Sequence, residues 1–339
     1  MKAFKYFLFL FLILIIGFAI YVAVQPNEFS VTRTRTLQAP QQLVFNNVSD
    51  FKNWEAWSSW READPDMVIR LQKQTAGIGG SYEWEDKDGI GVIKTNDAKR
   101  FESLDQEMLH GAYPPSQITW GFRATPQGDT DVTWNISGKD LPFLFKFFCL
   151  IGGGMESQIG PHFERSLEKL DSILVADMNK YTINIEGVTE YGGGFYVYKT
   201  TDANDTNIST KMRQNFGHLM QFIQSSRAQL AGMPLTVYNE MNNNGNVIMS
   251  NCLPIITKLD IPDSADVSLG YMPKMKVLKT TLKGNYTYLK NAWSETMKHL
   301  EENGIKQSDQ NPFEIYTNDP GKYPNPADWT TTIYIPLKE

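Results

Sequence analysis

Glu314 stands between Phe313 and Ile315 in the stretch NPFEIYTNDP, an acid inside what otherwise reads as a short apolar strand. Glutamate is seldom fully buried without a partner. A carboxylate here therefore lies on the surface, accepts hydrogen bonds as a structural strut, or faces a pocket as a charge. In a partly dry pocket it attracts a cation by charge pairing, and neighbouring aromatic faces reinforce the attraction. With its pKa raised by burial it would instead serve as a general base toward water. Side chains alternate along a strand, so Glu314 and Tyr316 share one face while Phe313 and Ile315 share the other. A sister strand, PLTVY, puts Thr236 beside Tyr238 in the same way. If the apolar pair faces the helices, Glu314 looks into a cleft, and Trp293 and Trp329 are candidates for its walls.

A second group of candidates is aromatic. Trp54, Trp57, Trp60, Trp84, Trp120 and Trp134 are many large rings for one short stretch of chain, and each indole N–H wants a partner. Core packing is one reading and the lining of a lipophilic pocket is the other, with Trp57 and Trp84 taken as the contacts. His110 and His162 read as isolated, and no His, Cys or Asp spacing fits a metal site, so no metal and no cofactor are expected. Cys149 and Cys252 are too few for a disulfide framework and read as buried thiols.

The elements that must position these groups fall into three segments of the 339-residue chain. Residues 1–29 contain the uncharged run Phe7 to Val24, about the length that crosses a bilayer as a helix. A cleaved signal peptide is the rival reading, although the apolar region is long for one and Tyr21 and Ala23 do not make a small-x-small cleavage site. Lys2 and Lys5 precede the run, while Arg33 and Arg35 come well after it. A single-pass protein with its N-terminus in the cytoplasm and the rest of the chain outside, periplasmic or extracellular, is the expectation. The net charge of −6 gives no basic footprint, so no nucleic-acid partner is expected.

From residue 30 to 176 a strand leads into short helices around VSDFKNWEAWSSW, then into short alternating runs separated by Gly, Asp and Pro, which signal an antiparallel sheet. The helical stripe Ile159, Phe163, Leu167, Leu170 and Leu174 in IGPHFERSLEKLDSIL closes the segment. With the YEW and GIGV stretches between them, these motifs resemble the START-like, or SRPBCC, polyketide cyclase superfamily. The resemblance implies a helix-grip fold with a hydrophobic cavity between helix and sheet.

From residue 181 to 339 the pattern is strand, helix and two strands, stated twice. The helices are read in ISTKMRQNFGHLMQFIQSSRAQLAG, with Gly232 as its C-terminal stop, and in NYTYLKNAWSETMKHLEENG. With GMPLTVYNEM, FEIYTNDP and TTIYIPL these halves resemble the GyrI-like domain, which also serves as the effector-binding module of some bacterial transcription activators. The resemblance implies a duplicated β-α-β-β fold whose cleft takes lipophilic, often cationic, small molecules, with an acid among aromatics. Some relatives inhibit other proteins and some hydrolyse reactive cyclopropane compounds.

The chain is thus expected to be α+β, with a single transmembrane helix, a START-like domain and a GyrI-like domain. The leading function is membrane-anchored binding of a hydrophobic or amphipathic small molecule. A hydrolase working through Glu314 and a non-ligand interaction scaffold are the alternatives, and the protein partner, if any, is unknown.

Overall fold

The computed structural model describes residues 2–242, 245–262 and 264–338. The chain forms two compact units, Met1–Ala176 and Asp177–Glu339.

The first unit begins with α1 (Lys2–Ala23), whose stretch Phe4–Ala23 has a mean hydropathy of 2.7 and is long and apolar enough to cross a membrane, a test that a signal sequence also passes. Then come β1 (Phe29–Leu37), α2 (Gln41–Ser49) and two single-turn helices, α3 (Trp54–Trp57) and α4 (Trp60–Ala63). Six strands follow: β2 (Val68–Leu71), β3 (Ser81–Asp86), β4 (Gly89–Lys99), β5 (Ser103–His110), β6 (Ser116–Ala124) and β7 (Thr130–Gly138). Together with β1 they form a seven-stranded antiparallel sheet in the order β1-β7-β6-β5-β4-β3-β2. On β7 alternate residues Val132, Trp134 and Ile136 are buried, the period of a strand with one face on a core. That face meets α6 (Met155–Met178), which buries Phe163, Leu167, Leu170 and Leu174, and the Trp134 and Phe163 rings stack at 3.7 Å. Between β7 and α6 lies α5 (Phe143–Ile151).

The second unit contains β8 (Thr182–Tyr191), β9 (Gly194–Asn204), α7 (Ile208–Ser226), β10 (Leu235–Met241) and β11 (Asn246–Ile255). A second set follows in the same succession: β12 (Ser268–Met272), β13 (Met275–Lys283), α8 (Leu289–Glu302), β14 (Phe313–Tyr316) and β15 (Thr330–Pro336). Each set therefore carries one strand more than the β-α-β-β reading. The cause lies at the breaks. Gly193 has φ of 71°, and a Cβ there would lie 2.2 Å from the Met272 carbonyl oxygen, so the chain turns sharply and β8 and β9 part. β8 pairs with β13, while β9 pairs with β11 and β12. The eight strands run β12-β9-β11-β10-β14-β15-β13-β8, an order that reads the same from either end when each strand is exchanged for its counterpart in the other set.

Both helices cover one face of this sheet. Leu219 and Ile223 of α7 pack on Val197, Leu253 and Ile255, while Ala292 and Leu300 of α8 pack on Leu278, Leu282, Ile333 and Ile335. Phe313 and Ile315 lie on the opposite face with Leu235, Val237 and Cys252. The condition that the apolar pair faces the helices is thus not met. Glu314 pairs with Ile333 across the sheet and shares the helix-covered face.

Candidate functional site

At the middle of the eight-stranded sheet β10 and β14 meet through only three residue pairs, and the central one sets Thr236 opposite Glu314. Glu314 is 1 % exposed. The Trp293 indole N–H, brought over from α8, donates to Oε1, and the Tyr316 hydroxyl is 3.0 Å from Oε2. The Tyr238 hydroxyl interacts with the same carboxylate. Behind Tyr316 a buried polar relay runs back to α7. Asn215 Nδ2 donates to Asn251 Oδ1 at 2.8 Å, and Asn251 Nδ2 donates to Thr236 Oγ1 at 2.9 Å. The Thr236 and Tyr316 hydroxyls are 3.1 Å apart. Because a hydroxyl has one hydrogen, giving that of Tyr316 to the carboxylate leaves Thr236 to donate to Tyr316. Every donor in the relay then points toward Glu314.

Half-buried rings stand around this floor. Tyr238 meets Trp293 edge-on at 5.4 Å, and Tyr316 is flanked by Tyr286 at 5.7 Å and Phe216 at 6.1 Å. Burial raises the pKa of Glu314, opposed by its hydrogen bonds from Trp293, Tyr316 and Tyr238. Burial, and then the Glu314 charge, lift Tyr238 and Tyr316 well above the usual phenol range, and the same causes with a contribution from Asp319 push Tyr286 up to about 12. The tyrosines thus stay neutral donors at any ordinary pH. Among the described residues Glu314 makes no ion pair with a lysine, arginine or histidine.

Of the sequence candidates, Glu314, Tyr316, Thr236, Tyr238 and Trp293 come together here. Trp329 does not reach the carboxylate: its ring lies 4.7 Å from Tyr286, one ring further out, and its indole N–H donates to the Tyr323 carbonyl at 2.8 Å. Asn215, Asn251, Tyr286 and Phe216 escaped the sequence reading. The two asparagines left a trace, being polar residues at inward positions of apolar runs: Asn251 shares a strand face with Leu253, and Asn215 lies one helical turn before Leu219.

In the first unit a cavity of about 320 Å³ lies between the sheet and α6, and Trp84 is among its lining residues. Trp57 is not. It is buried among Trp54, Trp120 and Trp134, and its indole N–H has no hydrogen-bond partner among the described residues, so its place is the aromatic core. His110 is not isolated either: its Nε2 is 3.1 Å from Asp86, which also accepts from Trp84 Nε1 at 2.9 Å. Burial works against ionisation of Asp86, but the Asp88 backbone N–H, His110 and Trp84 outweigh it and hold the carboxyl below its usual range. His162 is likewise paired, with Ser59 Oγ at 3.0 Å. Cys252 is buried, whereas Cys149, expected to be buried too, is partly exposed on α5 and lines the cavity. Among the described residues no three His, Cys, Asp or Glu side chains are grouped to hold a metal ion.

The second unit is thus a mixed α+β structure in which two helices cover one antiparallel sheet and a buried acid is ringed by aromatics. Residues 195–338 match the model of the GyrI-like small molecule binding domain. Among solved structures, the chain is similar to the EcmrR C-terminal domain (19% identity over 47% of this chain and 98% of that one, TM-score 0.40). It is similar also to EcmrR in its cryo-EM DNA complex (18% identity, 58% and 84% coverage, TM-score 0.40). A Chromobacterium violaceum protein gives 16% identity over 44% of this chain and 97% of its own, with a TM-score of 0.33. No curated protein matches the chain.

Proposed function

We propose that the second unit captures a lipophilic organic cation over Glu314, in a chain held at a membrane by α1. The observation that carries this reading is a carboxylate buried to 1 % exposure, supplied with aromatic N–H and O–H donors and, among the described residues, with no basic partner. Such a group is costly to ionise alone and gains most from a ligand that brings the missing positive charge. The half-buried faces of Trp293, Tyr238 and Tyr286 add cation–π attraction and apolar contact, and the GyrI-like match supports a small-molecule ligand. We read the unit, residues 181–339, as a duplicated fold, a reading supported by its palindromic strand order. Residues 30–176 we read as a START-like helix-grip domain, supported by a long helix on an antiparallel sheet with a cavity between them. Residues 1–29 we read as an uncleaved anchor with a cytoplasmic N-terminus, supported by its length and by Lys2 and Lys5.

The test is calorimetric titration of the full chain in detergent micelles with tetraphenylphosphonium, with a micelle blank. Saturable binding of one cation per chain is expected. Absence of both binding heat and thermal stabilisation at saturating cation removes the proposal.

A further inference from the structure

We infer that α5 lies in the surface of the bilayer that α1 enters, and that the first-unit cavity opens past it to lipid acyl chains, so that this cavity takes its ligand from the membrane. The inference rests on reading α1 as a retained span.

α5 reads FLFKFFCLI, apolar at every position but one. A helix that is apolar all round is normally buried. Here Leu144, Phe148 and Ile151 are 65, 61 and 63 % exposed. The one charged residue points the other way: Lys146 is buried, and its Nζ donates to the carbonyls of Ala23 at 3.2 Å and Gln25 at 2.9 Å. Carbonyls at a helix C-terminus lack intrahelical donors and carry partial negative charge, so an ammonium there is a well-matched cap. Phe147 adds an edge contact to Phe18 at 5.9 Å. α5 is therefore fastened to the last turns of α1. An apolar helix of about 20 residues just fills the hydrocarbon core, so its end marks the membrane interface. A contiguous apolar surface fixed at that depth is buried in lipid rather than left in water.

The cavity side of α5 completes the argument. Phe145, Phe148 and Cys149 line the cavity, and Phe148 is exposed as well, so α5 forms part of the wall between the lumen and the outside. α5 runs from Pro142 to the Gly152–Gly154 run, where Gly153 and Gly154 hold φ of 83° and 90°, conformations that glycine adopts cheaply and that make a natural pivot. A polar group of the cavity lies beside α5: Tyr113 packs on Phe145 at 5.5 Å and on His110 at 5.7 Å, and His110 pairs with Asp86. The lining residues Ile93, Met108 and Ile118, on the strands, are apolar. The cavity thus suits an amphipathic lipid, its head near α5 and its chain among the strands. Because Lys146 is turned inward, insertion depends on apolar surface and not on anionic headgroups.

The test uses the native full chain in phosphatidylcholine nanodiscs containing two photoreactive phosphatidylcholines, one with a diazirine near the carboxyl end of its acyl chain and one with a diazirine at its acyl end, photolysed and mapped by peptide mass. Adducts are expected on α1, on Leu144, Phe148 or Ile151, and on Ile93 or Met108, unchanged when phosphatidylglycerol is mixed in. Adducts confined to α1 overturn the inference. Adducts on α1 and α5 with none on the strands remove lipid entry and overturn it too. Intact mass separates the two layers: a chain lacking α1 defeats the anchor reading itself, whereas a full-length chain with unlabelled α5 leaves the anchor standing and defeats only this inference.

Discussion

Replacing Glu314 by glutamine isolates its charge from its shape. The amide oxygen still accepts from the Trp293 N–H, and the amide N–H groups still reach the oxygens of Tyr316 and Tyr238, so the fold of the site is kept. What is lost is the attraction between the carboxylate and a bound cation. For charges about 5 Å apart at an effective dielectric of about 20 this is roughly 3 kcal/mol. Aromatic and apolar contacts are unchanged. Glu314→Gln is therefore expected to weaken tetraphenylphosphonium binding by roughly 100- to 200-fold near neutral pH. A neutral aryl ligand such as triphenylphosphine oxide should bind wild type and variant alike. Calorimetric titration of both proteins with both ligands gives the comparison. A cation affinity within twofold of wild type, or an equal loss for cation and neutral ligand, would refute the charge-capture reasoning.

The same substitution bears on stability: burial raises the Glu314 pKa above its ordinary 4.5. A group raised in the folded state contributes stability fully present below its unfolded pKa and lost as pH rises through its folded pKa. Glu314→Gln should accordingly melt higher than wild type near pH 7, with the gap closing toward pH 4 in thermal denaturation. Trp293→Phe removes a hydrogen bond that lowers this pKa. The pH at which cation affinity falls by half on acidification should therefore rise, as followed by titrations at several pH values. Asn251→Ala strands the Asn215 amide and the Thr236 hydroxyl and should cost about 1–3 kcal/mol in denaturant unfolding of the full chain. In the first unit, a Cβ on Gly91 would lie 2.0 Å from the Trp84 ring, so Gly91→Ala should push that ring off Asp86, cost about 1–3 kcal/mol and alter the near-ultraviolet circular dichroism.

Alternation along two short strands was enough to group Glu314 with Tyr316 and Thr236 with Tyr238. It did not say which face the helices cover, because β14 is buried on both sides: Phe313 and Glu314 are equally inaccessible, and apolar character cannot rank them. Trp293 was reachable through the stripe of its helix, but its bond to Glu314 depends on a loop between α8 and β14 whose path has no pattern. The six tryptophans of residues 54–134 look alike in sequence. Only the cavity boundary separates Trp84, on the lining, from Trp57, enclosed in the core. α5 is too short an apolar run for its type to be read with any certainty of period. Its inward lysine makes sense only once Ala23 and Gln25 are beside it.

The three-pair meeting of β10 with β14 makes the middle of the eight-stranded sheet its narrowest join, with Glu314 set in it. On the proposed reading a guest gripped there would work as a rivet, bracing the two flanks across the sheet's shortest strand pairing and stiffening the sheet without any element having to change its place.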